Sequence, residues 1–281
     1  MKLTNYEKLS LIRINKWEER SHGSIEKMLL DGVSKPIDYI MKKIGREKFN
    51  LFEKAIEAAV NKMMNVSTYS VNSKELLKRA HKNGIMIDDL SELITVNFKK
   101  LDDCNMKHIK FHGRASATQG AVAGIAGPLA APADLTAVLL QAFHLIQEIA
   151  FCYGYDPNHM VEKHILLRIM EVAIGSSKNK FKALQEIEIL KKIERDVDPN
   201  QVSKKSVAIL GSKAVQEQIM TLSIGLITRM IPRAIPIPLI TMAISAHSDH
   251  EIMEHSGEAA FMVYRKRFIE RKMELEQDPK P

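Results

Sequence analysis

The sequence predicts an all-α protein, a multi-helix bundle with two apolar helical hairpins cornered by proline and glycine. Three observations predict it. Apolar residues recur at helical spacing along most of the 281 residues, and the alternating polar–apolar runs that strands need are few. An apolar fraction of 45% and a charged fraction of 27% suit a globular chain rather than a disordered one. Two long charge-poor stretches are split by prolines. Residues 115–143 hold Asp134 as their one charge and are broken by Pro128 and Pro132; residues 219–246 hold Arg229 and Arg233 and are broken by Pro232, Pro236 and Pro238. A straight membrane span needs about 20 mostly apolar residues in a row, so both stretches are read as hairpins.

The elements follow in order. "NYEKLSLIRINKWEERS" forms a first helix, with Gly23 beyond its end and Ser24 able to cap what comes next. Pro36 starts "PIDYIMKKIG", which Gly45 ends. "REKFNLFEKAIEAAVNKMM" keeps Phe49, Phe52, Ile56, Ala59 and Met63 on one face. "NSKELLKRAHKNG" stops at Asn83-Gly84. Asp88 or Asp89 opens a helix through "LSELITVNFKKLDDC", with more helix towards Gly113. Ala133 to Tyr153 is one helix ended by Gly154, and Asp156-Pro157 start the next. "KNKFKALQEIEILKKIERDV" is polar enough to be expected on the surface. A last block comprises "AVQEQIMTLSIGLITRM", a proline corner, "PLITMAISA" and a final helix from about Ser248 to Glu274. The expected organisation is a single domain over 1–281. Peripheral helices occupy about 1–110, a core about 111–274, and a frayed tail 275–281.

The net charge of +7 and a pI near 9.2 favour partners of negative charge. Cys104 and Cys152 are the two cysteines and form no C-x-x-C pair, which fits a reducing compartment. Charges interrupt the N-terminal segment every few residues, so no signal-peptide core is read there and an intracellular setting is expected.

Several patterns bear on chemistry. Gly120, Gly124 and Gly127 lack the lysine and the preceding strand of a phosphate-binding loop. Gly120 and Gly124 instead form G-x-x-x-G, whose flat helix face lets a second backbone approach closely. Asp134, Gln141 and Glu148 are seven residues apart and drift by about 20° per step, making a polar stripe on an apolar helix. His144 lies on the same side, one turn before Glu148. In "HSDHEIMEHSGE", His247, Glu251, Glu254 and Glu258 share a face with His250 at its side, and Arg265 continues the line. Carboxylates and imidazoles so spaced can line a helix-bundle metal site, although the Glu-x-x-His signature is missing from both helices. Cys104, His108 and His112 recur every four residues, and the His108/His112 pair has a metal-compatible spacing. Cys104 and His112 stand about 12 Å apart along the axis, so all three are not expected on one ion. Cys152 has no adjacent base in the sequence and is expected in the core. No G-x-S-x-G or H-E-x-x-H is present, so no catalytic residue is assigned; Asp134, His144, Glu148, His247 and Glu251 are the weak candidates. His108, His112, His247, His250 and Glu254 are the corresponding candidates for metal. "VYRKRFIERK" at 263–272 is basic and amphipathic, as on a helix facing an anionic membrane; nucleic acid is not an expected partner.

"PADL" at 132–135 followed by "IQEIAFCYGYDP" at 146–157 resembles the central signature of the EcsC family of bacterial proteins. The glycine- and alanine-rich approach to Pro132, Trp17, "KPIDYI" at 35–40 and the stretch from Ile235 to Phe268 fit the same family. Near the C-terminus this chain has prolines and isoleucines where a second glycine-rich approach is expected. The resemblance implies a setting rather than a reaction. The family's founding member is encoded beside the subunits of an ABC transporter linked to protein secretion and competence. Pro132, Asp134, Gln147, Tyr153 and Gly154 fall on motif positions, with Gln141 on the same helix. The expectation is a non-catalytic accessory protein at or near the inner face of the cell membrane, contacting anionic lipid, a transporter protein or both, with no cofactor. A metal-assisted hydrolase using the His144/Glu148 and His247/Glu251 stripes is the alternative, and a soluble protein-binding scaffold the second.

Overall fold

A computed structural model describes residues 3–20, 42, 45–64, 73–125, 131–175, 177–196, 211–230 and 238–277. Both hairpin corners, with Gly127, and the 35–40 stretch lie outside the described residues. The described chain is an all-α bundle: α1 (Asn5–Glu19), α2 (Arg46–Met64), α3 (Ser73–Lys82), a short 3-10 turn (Leu90–Thr95), α4 (Phe98–Ile125), α5 (Ala131–Cys152), α6 (Met160–Ile174), α7 (Ser177–Asp196), α8 (Ser212–Met230) and α9 (Pro238–Gln277).

Helix ends follow local chemistry. Thr4 and Glu7 form a reciprocal capping box on α1, each satisfying the other's free backbone donor. Asn97 stops the helix expected to run from Asp88 or Asp89 through Cys104. Its side chain accepts from Lys99 N at 3.0 Å, so Asn97 caps α4 and leaves the upstream residues as a 3-10 turn. Beyond that cap, α4 continues past Gly113 through Gly120 and Gly124 to Ile125. Tyr153-Gly154 ends α5 in a Schellman turn: Gly154 has φ +80°, Tyr155 N donates to Ala150 O and Gly154 N donates to Phe151 O.

Two expectations change. The segment "PLITMAISA" and the final helix are one continuous 40-residue helix, α9, because neither proline nor glycine lies between Leu239 and Ser256 to break the run. Further along α9, Gly257 lets the helix press onto α4 and α5; an added Cβ there would stand 3.0 Å from Ile109 and 3.3 Å from Leu145. Nor is α7 a wholly exposed helix. Ala183, Ile187 and Leu190 are buried, and so are the charged Lys180 and Lys191, while Phe181 and Lys182 face solvent.

The core forms where α9 packs on α4, α5 and α6, with α2 against α5 and α7 and α8 against α6. Every residue of α6 from Val161 to Ile174 is buried, including Glu162, Lys163, His164, Arg168 and Glu171. Helix α1 closes one side of α9 through Ser10, Ile14 and Trp17. Leu135–Cys152 is apolar and long enough to cross a membrane, but 67% of it is buried inside the molecule, as expected of a central core helix.

Candidate functional site

Helices α4 and α5 lie side by side and bring three imidazoles onto one carboxylate. Glu148, 2% exposed, receives His108 Nδ1 at 3.2 Å and His112 Nε2 at 2.8 Å on one oxygen, with His144 Nε2 3.5 Å from the other. The helical repeat explains the arrangement, since residues four apart share a face: His108 and His112 stack along α4, and His144 and Glu148 along α5. Burial raises the Glu148 carboxyl, but hydrogen bonds from His108, His112 and His144 outweigh it and hold the group well below the carboxylate range.

One turn further along, Cys104 Sγ stands 3.8 Å from His108 Nε2. Cys104, His108 and Cys152 present ligand-type atoms that all lie within 4.8 Å of one another. Neither cysteine is in a disulfide. The hydrogen bond with Cys152 lowers the Cys104 thiol to about 5; burial opposes this and His108 assists it. Burial lowers His108, yet Cys104 and Glu148 on its two ring nitrogens raise it to about 9. Cys152 is half-buried and packed against the core, where it also lies beside a thiol and an imidazole. Because Cys104 turns to Cys152 and His112 turns to Glu148, the 12 Å separation along α4 splits the Cys-His-His row between two neighbouring sets.

A second buried set joins four helices or their ends. Asp102 accepts hydrogen bonds from Tyr6 Oη at 2.8 Å and Tyr153 Oη at 2.6 Å, and pairs with Arg265 at 2.8 Å. Burial raises its carboxyl, and Arg265 and the two phenols recover only part of that shift. Arg265 also donates to Ser10 Oγ at 2.6 Å and stacks over Phe261. Two residues on, Arg267 grips Glu162 with paired bonds of 2.7 and 2.9 Å, reaches Glu194 at 2.9 Å, and lies 3.9 Å above the Tyr155 ring. Tyr264 donates to the same Glu162. Arg271 donates to the carbonyls of Tyr153 and Gly154 at 3.1 and 3.2 Å. The basic stretch at 263–272 thus points Arg265, Arg267 and Arg271 inward.

Other sequence-selected residues fall as follows. Tyr153 and Gly154 build the helix stop and the Asp102 contact just described. Gln147 is buried and Gln141 half-buried on α5. Pro132 and Asp134 lie in the first turn of α5, Gly120 and Gly124 in the last turns of α4, and His247 in α9; their side chains lie outside what is described. His250 and Glu254 form a local pair at 3.3 Å, Glu258 meets Arg20 at 3.0 Å, and Glu251 is half-buried. Sequence reasoning did not single out Asp102, Glu162 or Arg267. Carboxylates and guanidiniums on separate helices carry no spacing that links them. The available signal was the placement of three arginines at 265, 267 and 271 among aromatic and apolar neighbours.

This architecture is that of a helical bundle in which Tyr153-Gly154 is a structural junction. The EcsC protein family model matches residues 8–269, and the chain belongs to that family. It is also similar to the uncharacterized protein YdbA of Bacillus subtilis (strain 168), with 24% identity over 173 residues, 61% of this chain and 59% of the relative. The chain thus spans about three-fifths of the curated relative it matches. No solved structure matches it.

Proposed function

We propose that this chain is a non-catalytic interaction protein working at the inner face of a membrane, in support of a transporter or secretion process. The observation that carries the membrane part is a surface shared by α4 and the turn after α3. Met86, Met106 and Phe111 are exposed, with Phe111 67% accessible, among the exposed lysines Lys82, Lys99, Lys100, Lys107 and Lys110, which outnumber the exposed Asp103 on the same face of α4. Lys107 Nζ donates to Asn83 Oδ1 at 2.9 Å, which draws the two elements together. Apolar side chains interspersed with lysine suit an anionic lipid surface: the ring and thioethers enter the headgroup boundary, and each lysine near it contributes about 1 kcal/mol. The net charge of +7 has the same sense.

The non-catalytic part is supported by where the charges of α9 go. Arg265, Arg267, Lys266 and Lys272 on α9 are engaged with Asp102, Glu162, Glu18 and Glu7 on other helices. These groups tie helices together. The transporter setting comes from the family resemblance and is carried over as part of the proposal.

Flotation with vesicles of phosphatidylglycerol and of phosphatidylcholine tests the reading. Binding to the anionic vesicles is expected, weakened about tenfold or more by Lys107→Glu/Lys110→Glu and by added salt. Equal absence from both floated fractions would overturn it. Binding to both that is indifferent to the lysine changes would do the same.

A further inference from the structure

We propose that Cys104, His108 and Cys152 form a metal site of the zinc type, with Glu148 as the carboxylate that orients the histidine. Three features carry it. The donor set is two thiols and an imidazole, the borderline-soft ligands zinc takes in tetrahedral sites, where three protein ligands leave a fourth position for water or another donor. The spacing fits. A tetrahedral ion with Zn–S near 2.3 Å and Zn–N near 2.1 Å separates its ligand atoms by roughly 3.5–3.8 Å. Cys104 Sγ and His108 Nε2 already stand 3.8 Å apart, and the whole set lies within 4.8 Å, so closure requires a shift of about 1 Å at most.

The third feature is the other side of the ring. His108 turns Nε2 towards the sulfur, while Nδ1 faces Glu148 Oε2 at 3.2 Å. Metal-binding histidines usually donate their second ring N–H to a carboxylate, which fixes the tautomer and raises ligand basicity. That arrangement is present here, and Glu148 is itself held by His112 at 2.8 Å. The scaffold is rigid on both sides, because the ligands come from two packed helices. Cys104 and His108 share a face of α4, and Cys152 is the last residue of α5. Cys152 is half-buried, whereas Cys104 and His108 are buried. Binding involves no redox step: the thiol protons leave to solvent as the two Zn–S bonds form. This proposal stands independently of the membrane reading and uses none of its residues.

The full-length chain, purified from cells in reducing buffer, is assayed for zinc and copper, then stripped and refilled with Zn²⁺ or Co²⁺. One zinc per chain is expected. Co²⁺ should give a thiolate-to-cobalt charge-transfer band, which reports this site because the chain has just two cysteines. Cys152→Ser should weaken the band and cut zinc affinity at least tenfold. Glu148→Gln should cut affinity by about 10–100-fold while the band remains. His250→Ala, whose ring pairs locally with Glu254, should keep one zinc. Circular dichroism of each variant separates lost metal from lost fold. The proposal is overturned if folded wild-type protein gives no band, if copper rather than zinc is bound, or if zinc stays bound with unchanged affinity in Cys152→Ser. A Cys104–Cys152 disulfide that persists in reducing buffer in place of metal overturns it too.

Discussion

Tyr153 and Asp102 are joined by a 2.6 Å hydrogen bond between two side chains that are both buried, one at the end of α5 and one in the second turn of α4. The same aspartate meets Arg265 of α9 and Tyr6 of α1, so one carboxylate holds four helices or their ends in register. Removing Arg265 strands a buried charge. Arg265→Ala is expected to destabilise the fold by about 3–5 kcal/mol, whereas Tyr153→Phe costs about 1–3 kcal/mol because Tyr6 and Arg265 remain on Asp102. Urea unfolding of both single variants and the double variant measures this. A coupling energy near zero would show that the three groups do not act as one network.

Gly154 occupies the left-handed region at φ +80° where α5 turns out of its helix. A side chain there costs about 1–2 kcal/mol. Gly154→Ala should therefore lower the unfolding midpoint without changing the denaturant slope. An unchanged midpoint would refute the assignment of strain to Gly154.

His164 is 1% exposed on α6, and burial, assisted by Arg168, lowers its pKa to about 4. Its folded pKa therefore lies below the unfolded value of about 6.5. As pH falls, the unfolded chain takes up the proton first, so the contribution is whole above pH about 6.5 and is lost progressively towards pH about 4. The difference corresponds to about 3 kcal/mol. His164→Leu should flatten the stability profile across that window relative to the parent. An unchanged slope would mean that His164 is not held neutral.

Lys180 fastens α1 to α7. Its ammonium donates to the carbonyls of Trp17 and Arg20, the latter at 2.8 Å, and lies 4.4 Å from the Trp17 ring centre. Trp17 is the one tryptophan of the chain, so its fluorescence reports this junction alone. Lys180→Met should destabilise the protein by about 1–3 kcal/mol and shift Trp17 emission to the red as α1 loosens. Unaltered emission would place the stability of α1 elsewhere.

Helical class and most helix positions were legible in the sequence because amphipathic periodicity is a local property. Where single side chains act at a distance, legibility ended. Asn97 as a cap looks like any polar residue until the turn before it fails to become α-helix. The α7 lysines read as solvent-facing, yet Lys191 is buried between Glu188 and Glu270. The candidate site was half visible: His108, His112, His144 and Glu148 were each picked out, but on two separate helices. Their convergence depends on how α4 lies against α5. Cys152 was read as core packing for the same reason, since its partners stand 44 and 48 residues away in sequence.

Lys272 near the end of α9 donates to Glu7 in the first turn of α1 at 2.6 Å, across 265 residues of chain. On a ribosome this fastening imposes an order of events. At about 5–20 residues per second, α1 emerges roughly 13–50 s before its partner exists. Through that interval the buried face of α1, with Ile14 and Trp17, has no α9 to cover it. The nascent chain therefore keeps that face uncovered by α9 until about 265 further residues have been made.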